Sequence, residues 1–491
     1  MITSEVEKQF SKLNDISIRE IDAGGVKVRL YFVECLIDKN LIAGGVIRPI
    51  LESAEKLKAH GNKLDFLISR VISVPKTERI GVSDALAKIL AGNCVISVED
   101  ESELISVCLQ GYQTRGITEP PTNSVLKGPR EGFVEDLNVN ISLIRRRLQT
   151  SDLHIFTTSI GRKSQTKVAL VYLASCVSPQ VLRELKKRLN KIDIDGVTAS
   201  YYIESLIRNN SGKLFRQVGS TEKPDIAMAK ILEGRIAIIV DGTPIVLSVP
   251  YVFLEDLQSS DDYYMHPARA SMVRIMRFLG LVLGVLLPGL YVALESFHYR
   301  ILPIDFLLSL LSSIYAISFP PLIEILFVLF LFEILNEASI RMPKYLGMAL
   351  SIIGALVLGD EAVKAGIITP PSIIVVAISG ICLYIVPDQT PIMSLMRILF
   401  TLLGGFAGFF GVIMGLIFFV GMLTSINNFG APLMAPFAPK VNSDLKDGLI
   451  KSSTKQMIMR PMSFPNRNRV RQSPRSAAQA KDVLGKGKSN G

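Results

Sequence analysis

The chain has 491 residues, enough for two or three domains, and it carries 54 Lys and Arg against 44 Asp and Glu, a net charge of +10. Residues 440–491 hold twelve basic and three acidic residues, a net +9, so the other 439 residues are close to neutral at +1. The positive charge therefore belongs to the C-terminal tail and does not indicate a nucleic-acid-binding surface. Five cysteines without a Cys-x-x-Cys pair argue against a disulfide framework and a zinc site, and we expect no cofactor.

The N-terminal part of the chain predicts an arm followed by a compact α/β subdomain. Residues 1–25 are polar and predict a short helix or arm. They lack the apolar run of a cleavable signal peptide, so the N-terminal region is expected to stay in the cytosol. Residues 26–150 alternate strand and helix patterns and predict the first subdomain. The elements predicted within it are a strand at Val26–Leu36, a helix at Ile42–His60 and a hairpin of Cys94–Val98 with Leu104–Leu109.

The most distinctive part of this subdomain is Glu119–Leu148. Its second half predicts a helix from Leu137, because apolar residues recur at helical spacing, acids precede them and arginines follow, which complements the helix dipole. The preceding turn, Lys127–Gly132, could cradle a phosphate, but no Gly-Lys-Ser/Thr follows, so we favour a structural turn anchored by ion pairs of Arg130. The residues assigned to this structural or assembly motif are Glu119, Pro120, Pro121, Gly128, Pro129, Arg130, Glu131, Gly132 and Asp136.

A second α/β subdomain is predicted at residues 151–265. Val168–Ala174 has the pattern of a strand, and Pro179–Leu189 that of a helix. Asp241-Gly242 lies between two apolar runs and is typical of a tight hairpin turn. Because the flanking runs are apolar on both faces, we expect that hairpin to be buried.

Residues 266–427 are predicted to form a polytopic membrane domain of four to six helices. Apolar runs recur throughout, and about 20 helical residues cross a bilayer core about 30 Å thick. Pro-Pro pairs interrupt the runs, which a membrane tolerates only where protein or water covers the backbone. Three arginines beside the first run place the preceding domain in the cytosol. The predicted segments are Met276–Glu295, Phe306–Ser318, Leu322–Ile340, Tyr345–Ile368, Ser372–Val386 and Leu395–Thr424.

Several acidic residues lie inside these segments, among them Glu333 and the pair Asp360-Glu361. A charged side chain at membrane depth costs at least about 2.5–3.5 kcal/mol, so it normally faces a bundle interior or a water-filled route. The alternative is that Glu337, Asp360 and Glu361 reach the membrane surface through helix tilt or snorkelling. Glycines at 404, 405, 408, 411 and 415 favour close helix packing in the last segment over a pore lining.

The tail, residues 439–491, is rich in Lys and Arg and poor in apolar residues, which predicts a disordered cytosolic segment that can lie on anionic lipid. With both ends in the cytosol the number of crossings must be even. Six crossings require Phe306–Ser318 to span, and four require two re-entrant segments. Arg341 and Lys344 fit a cytosolic loop better than the outside loop that six such crossings give them.

The motif run EPPT, GPREGF, EDL and NISLIRRR within Glu119–Leu148 resembles the A subunits of GerA-type spore germination receptors. The family often carries Arg where this chain has Lys223, which keeps the charge but loses a bidentate donor. With the further stretches, the resemblance extends over residues 115–400. The further stretches that carry it are Lys191–Gly196, Thr221–Asp225, Leu232–Pro250, Asp261–Tyr264 and Leu290–Pro303.

The resemblance implies a subunit of a nutrient-sensing receptor in the inner membrane of the endospore. It implies partners, a transporter-like B subunit that carries the nutrient pocket and a lipoprotein C subunit, and a homo-oligomeric ring that forms a ligand-gated cation channel. In such a ring, copies of Glu333, or of Asp360 and Glu361, would surround one axis and favour cations, and Val363 could form an apolar gate. A secondary transporter subunit, or a non-conducting signalling scaffold in the same complex, is the alternative.

Catalysis finds little support in the sequence. The chain has no Gly-x-Ser-x-Gly, no His-Glu-x-x-His and no complete nucleotide-binding loop, and it has only four histidines. We therefore expect a multi-pass membrane subunit that is not an enzyme and has no catalytic, cofactor-binding or metal-binding residues. Its N-terminal domain and tail are expected in the cytosol.

Overall fold

The computed structural model describes residues 13, 15–111, 128–209, 214–301, 303–305, 319–341, 359 and 361–472. The predictions for Glu119, Pro120, Pro121, Asp360, Phe306–Ser318, most of Tyr345–Ile368 and the tail beyond residue 472 lie outside these residues. The described part comprises two sheet-containing units, a group of apolar helices, and a C-terminal segment that returns to the second unit.

The first unit is a five-stranded antiparallel sheet with the strand order β1-β2-β4-β5-β3. The predicted strand from Val26 and the hairpin after Cys94 are confirmed. The arm predicted for residues 1–25 is wrong for residues 16–23, which form β1; Ile21 and Ala23 lie in the core, and Asp22 between them is exposed. The strands are β1 (Ile16–Ala23), β2 (Val26–Val33), β3 (Thr77–Ile80), β4 (Asn93–Val98) and β5 (Leu104–Cys108).

Short helices cover this sheet. The single helix predicted for Ile42–His60 is broken, because Gly44-Gly45 has low helix propensity and Pro49 lacks an N–H. The helices are α1 (Lys39–Ile42), α2 (Arg48–Glu52), α3 (Ala54–Ala59), α4 (Lys63–Phe66) and α5 (Val82–Leu90), with π-helical turns at Ala43–Ile47 and Leu67–Val71.

The second unit is a five-stranded antiparallel sheet with the order β6-β7-β9-β10-β8, and the predicted Asp241-Gly242 hairpin is its β9–β10 pair. The helix predicted from Leu137 packs on this sheet, because Ile141 and Ile144 share a core with Ile155. It therefore belongs to the second unit and not to the predicted subdomain 26–150. The elements are α6 (Leu137–Arg147), β6 (Leu153–Ile160), β7 (Thr166–Leu173), α7 (Pro179–Asn190), α8 (Ser200–Ile207), β8 (Gly219–Thr221), α9 (Pro224–Leu232), β9 (Ile236–Val240) and β10 (Val246–Val249).

The two units repeat one topology, since in each a hairpin is followed by helices, an edge strand, a helix and a second hairpin. The repeat is visible in sequence at a spacing of 142 residues, where Lys88–Asp100 and Lys230–Gly242 share six of thirteen residues. Gly92 and Gly234 occupy the same position after the helix, with φ of 90° and 94°. Both need a positive φ to turn from helix into strand, which glycine adopts without steric cost.

One difference between the repeats involves the far C-terminal segment. In the first unit, Gln110 forms a bridge to Ile37, just after β5. In the second unit, Val177 is the equivalent of Ile37, and it forms its bridge to Asn466. The neighbouring Arg467 N–H donates to the Cys176 carbonyl at 2.9 Å. Asn466, near the end of the described chain, thus takes the position that Gln110, only two residues after β5, takes in the first unit.

The remaining helices are apolar. Two described helical stretches, Pro267–Phe297 and Pro387–Ser425, are long and apolar enough to cross a membrane. A helix of 21 residues and one of 15 residues pack beside them. The helices are α10 (Pro267–Phe297), α11 (Pro321–Arg341), α12 (Ala362–Lys364), α13 (Pro370–Tyr384) and α14 (Thr390–Ser425), with short β11 (Asn427–Asn428) and β12 (Ala431–Pro432) after them.

Helix α14 is a helical hairpin that reverses at Gly408, where φ is 59° and ψ is −147°. The rings of Phe400 and Phe419 lie 6.0 Å apart, whereas 19 residues of straight helix would separate them by about 28 Å. The last predicted segment, Leu395–Thr424, is therefore two antiparallel helices and not one. Gly404 packs against the Gly289 carbonyl of α10 so closely that a Cβ would not fit, in agreement with the packing interpretation of these glycines.

The helix directions follow from contacts at their ends. Glu324 near the start of α11 binds Thr369 at the start of α13, and Phe332 lies against Tyr384 at the end of α13, so α11 and α13 run parallel. Helix α10 starts at the second unit and runs the opposite way. Arg341 therefore lies at the same end of the helix group as the second unit.

Residues 439–472 differ from the disorder predicted for the tail. Asp444 accepts hydrogen bonds from the backbone of Met462 and Ser463, and Arg460 donates to the Leu232 carbonyl at 2.6 Å. The Phe464 ring lies under the Arg235 guanidinium, 3.9 Å away. The segment has few apolar residues of its own, and it is ordered because its polar groups pair with those of the second unit.

We predict that Gly408→Ala lowers stability by about 1–3 kcal/mol, the usual cost of backbone strain at a non-glycine residue. A Cβ at Gly408 would also lie 2.9 Å from the His298 ring. The control is Gly421→Ala in the second arm of α14, which has open space around it and should gain up to about 1 kcal/mol of helix propensity. Thermal unfolding of the purified chain in detergent measures both, and equal shifts would contradict the hairpin.

Candidate functional site

The residues of the predicted motif gather beside the second unit. Glu131 accepts ion pairs from Arg146 and Arg147, each at 2.6 Å, so the turn is anchored through this carboxylate and the end of α6. Arg130, the predicted anchor, is exposed, and Pro129 is half-buried. At Gly128, with φ of 128°, a Cβ would lie 2.7 Å from the Tyr264 ring. The turn therefore reaches the segment that leads into α10.

The start of α6 is held from two sides. The Asp136 carboxylate accepts from the backbone N–H groups of Asn138 and Val139 at 2.8 and 2.9 Å, which makes it the N-cap. Asp241 of the β9–β10 turn accepts from Leu137 N–H at 3.1 Å. The motif thus positions a helix, since the Phe133 N–H directly after the turn donates to the Glu222 carbonyl at 2.7 Å and Gly132 is buried.

Lys223 lies where the resemblance favours arginine, and it is fully buried. Its Nζ lies 3.6 Å from Asp225 and donates to Ser260 Oγ at 3.2 Å. The Tyr264 hydroxyl is 3.5 Å from Asp225 as well. The lysine therefore keeps an ion pair, and it joins the second unit to the 3-10 turn Ser260–Tyr264.

The junction between this unit and the helices is centred on Asp262, whose side chain is fully buried. Its carboxylate accepts from Arg274 at 3.0 Å and from Arg277 at 2.8 Å, both on α10. Arg274 also donates to Asp447 at 2.8 Å, and Lys451 donates to the Asp262 carbonyl at 2.8 Å. Two of the arginines that the sequence assigns to the membrane surface are therefore paired inside the protein.

A second junction links the same unit to the connection between α13 and α14. The Asp256 carboxylate accepts from the Tyr251 hydroxyl and the Gln389 amide, each at 2.6 Å. Arg216 lies 3.2 Å from both Asp256 and Asp388. Burial raises the pKa of Asp256 above its ordinary value, and Arg216 opposes that shift. The second unit and the apolar helices are thus joined by buried polar contacts at two separate places.

Glu333 is paired within its own chain. Arg397 of α14 is 1% exposed and donates to Glu333 at 2.7 Å; Ser394 also donates to that carboxylate. Arg397 reaches Ser379 on α13 at 3.3 Å, and Ser379 donates to the Gly284 carbonyl of α10 at 2.6 Å. The pair ties four apolar helices together, and about a third of the Glu333 side chain stays exposed.

The other pore candidates lie at the surface of the described chain. Glu361 and Lys364 form an ion pair of 3.2 Å in which both side chains are 64% exposed. Val363, between them, is half-buried. The structure does not bring Glu333 and Glu361 together in one contact, and no group of three or more His, Cys, Asp or Glu side chains suited to a metal occurs among the described residues.

Sequence reasoning missed Arg397, although a lone arginine within an apolar segment was a usable signal, because such a charge needs a partner in a membrane. It also missed the role of Asp262. That aspartate lies in a run of polar residues, and nothing in the run distinguishes it from its neighbour Asp261.

We predict that Arg397→Met lowers stability by about 3 kcal/mol, the lower end of the range for breaking a buried ion pair, since Glu333 is partly exposed. Adding Glu333→Gln to this variant should recover most of the loss. Arg341→Met is the matched control, because its partner Glu337 is exposed and such pairs contribute about 0–1 kcal/mol. Thermal unfolding in detergent compares the three, and equal losses at Arg397 and Arg341 would show that the pair is not buried.

Comparison with known proteins identifies the family. The sequence model described as Bacillus/Clostridium GerA spore germination protein matches residues 4–463. Spore germination protein KA of Bacillus subtilis is 34% identical over 96% of this chain and 87% of its own length. Spore germination protein GerLA of Bacillus cereus is 32% identical over 94% of each chain.

Two further relatives extend this comparison. The membrane protein YfkQ of Bacillus subtilis, which has no characterised function, is 35% identical over 93% of this chain and 89% of its own length. The crystal structure of the N-terminal domain of the A subunit of the Bacillus megaterium spore germinant receptor GerK3 is 25% identical and covers 51% of this chain and 94% of that one. Its TM-score of 0.39 is below the level that establishes a shared fold. On the family match and the long relatives, this chain belongs to the GerA spore germination protein family.

Proposed function

We propose that this chain is the A subunit of a nutrient-sensing germinant receptor and that several copies form a ligand-gated cation channel in the spore's inner membrane. The observation that carries the proposal is the family match over residues 4–463, together with relatives that are named as spore germination proteins. A receptor A subunit implies other subunits. We assign the nutrient pocket to a transporter-like B subunit and add a lipoprotein C subunit as the third partner.

The proposed membrane topology is supported by the helix directions. Helix α10 leads away from the second unit, α11 and α13 lead back, and α14 adds two antiparallel arms. Arg341 and Ala362 lie at opposite ends of the helix group, because Ala362 packs with Tyr291 near the end of α10. The described helices thus provide five crossings, and their directions leave Arg341 on the cytosolic side that its charge favours.

An assembly of several copies is supported by the exposed apolar surface of these helices. Ile374, Ile378 and Ile381 lie along one face of α13, and each is 44–66% exposed. Such a face needs either lipid or another copy of the chain against it. A ring would use part of this surface between subunits and leave the rest to lipid.

Among the proposed pore residues, Glu361 and Val363 are better placed than Glu333. Glu361 is exposed, and its surface ion pair with Lys364 contributes little, so the carboxylate is free to face a lumen. Glu333 is instead neutralised by Arg397 of the same chain, which favours a structural role for that residue. The Arg397 contact is also the observation that supports the second candidate, a non-conducting scaffold, because a packed helix bundle needs no pore to retain its acids.

The prediction concerns conduction by the complete receptor reconstituted in planar bilayers or liposomes. Glu361→Gln should lower selectivity for cations, since it removes a negative charge from the proposed lumen. Val363→Ala should raise the leak without ligand, because a smaller side chain weakens the apolar constriction. Single-channel recording measures both effects.

The control is Glu337→Gln, an equally exposed acid that is paired with Arg341 at the other end of the bundle and should leave conduction unchanged. Unchanged selectivity and unchanged leak in both test variants would remove these residues from the pore. Saturable solute exchange would favour a transporter subunit, and a complete receptor that moves neither ions nor solute would favour the scaffold.

A further inference from the structure

A cluster of buried oxygen atoms lies at the end of the helix bundle opposite the second unit. It consists of Tyr291 and Glu295 of α10, Glu324 of α11, and Thr369 and Ser372 at the start of α13; we refer to these five residues as the far-end cluster. Glu295 is 21 residues after Arg274, which places it about 31 Å along α10 from the Asp262 junction. Neither the ion pair of Glu333 nor the pore candidates include any of these residues.

One carboxylate of the cluster is well satisfied. Glu324 is 3% exposed, and its Oε1 accepts from the Thr369 backbone N–H at 2.6 Å and from the Thr369 hydroxyl at 2.8 Å. Thr369 Oγ1 also lies 2.8 Å from Ser372 Oγ. Helices α11 and α13 are thus held together by a carboxylate at the N-terminus of α13, where the helix dipole favours negative charge.

The second carboxylate is not satisfied. Both oxygens of Glu295 are buried, and neither makes a well-formed hydrogen bond to a described residue; the Tyr291 hydroxyl, one turn earlier on α10, is the group that interacts with them. The hydroxyl of Tyr291, a residue only 9% exposed, is also buried without a well-formed hydrogen bond, although it interacts with Glu295, Thr369 and Ser372. Buried polar atoms of this kind are rare in native proteins, and they commonly mark a bound water or ion.

Among the residues that the structure describes, no basic side chain pairs with either carboxylate. Glu295 and Glu324 repel each other electrostatically. His298, the nearest titratable side chain in sequence, has its Nδ1 against the Ala293 carbonyl and its ring on Phe409. Arg300 is exposed, and Lys364 is exposed and paired with Glu361.

Next to these helices, the two longest stretches outside the described ranges contain one basic residue between them. Residues 306–318 contain no Lys, Arg or His, and residues 342–358 contain only Lys344. Lys344 is three residues after Arg341, which lies at the other end of α11. An unpaired buried carboxylate is costly, so the cluster needs either a bound cation or a proton.

We infer that the far-end cluster binds a hard inorganic cation. The available ligands are carboxylate oxygens of Glu295 and Glu324 and the hydroxyls of Tyr291, Thr369 and Ser372, all oxygen atoms from three helices. Sets of carboxylate and neutral oxygens suit calcium in particular, and they also bind monovalent alkali ions. A cation there would clamp α10 to α11 and α13. The inference does not use ion conduction, so it stands or falls separately from the proposed channel.

The test uses the full-length chain purified in detergent, stripped of metal, and then titrated separately with Ca²⁺, Na⁺ and K⁺ at pH 8. We expect saturable binding of one ion type, measured with a radioactive tracer, and a melting temperature that rises with its concentration, since a ligand of the folded state stabilises that state. A response to Ca²⁺ alone identifies a divalent site, and a response to Na⁺ or K⁺ a monovalent one.

Glu295→Gln should abolish both the binding and the rise in melting temperature. Tyr291→Phe should weaken binding by at least about tenfold, the lower bound for removing even an outer partner of a metal ligand, and it keeps the test open if the first variant does not fold. Glu337→Gln is the control and should bind as the unchanged chain does.

Two results would overturn the inference. One is the absence of saturable binding for all three ions. The other is a Glu295→Gln variant that melts higher than the unchanged chain in every salt, which would mean that Glu295 is held by a proton and gains nothing from a cation. Binding that persists unchanged in both Glu295→Gln and Tyr291→Phe would place the ion elsewhere and would equally contradict the far-end cluster.

Discussion

The structure depends on one buried carboxylate, that of Asp262. It lies between the second sheet-containing unit and the first apolar helix, and it receives Arg274 and Arg277 from that helix. Because a buried charge is tolerated only when it is paired and hydrogen-bonded, the 3-10 turn, the start of α10 and the Asp447 segment are each required in place. The second unit and the first apolar helix are thereby held in a defined relation.

The pairing of Asp262 with the arginines of α10 suggests how a receptor subunit could couple its second unit to its helices. Under the proposed function, a partner that shifted the second unit would also shift Asp262 and with it α10, because separating Arg274 and Arg277 from this buried carboxylate is costly. The Asp256 junction acts at the connection between α13 and α14, so the same displacement reaches two places in the bundle. Coupling of this kind needs contiguous packed and hydrogen-bonded groups, and the described residues provide them at both junctions.

Local structure could be predicted from the sequence where it is determined by residues close together in the chain. The Asp241-Gly242 turn, the strand at Val26 and the Asp136 cap of α6 all depend on short-range geometry, and all were predictable. The reversal at Gly408 was not, because a glycine in an apolar run fits a straight helix equally well. The Glu333–Arg397 pair was not assigned either, since it joins residues on different helices and no sequence pattern shows which charges meet.

The ordered structure of residues 439–472 also depends on contacts with residues distant in sequence. Their composition predicts disorder, and only the complementary groups on the second unit, such as the Leu232 carbonyl for Arg460, give them a fixed place. The domain boundary shifted for a related reason. Helix α6 is recognisable from its own sequence, but the sheet that it packs against is decided by long-range contacts that periodicity does not contain.

The bridge between Val177 and Asn466 has a consequence for biosynthesis. In the first unit the corresponding bridge joins Ile37 to Gln110, so both of its residues have left the ribosome before the second unit is made. The second unit must wait until all the apolar helices have been translated before Asn466 can reach Val177. The bridging position beside Val177 stays unfilled throughout that interval, and completion of the second unit becomes a late step that follows synthesis of the helices before it.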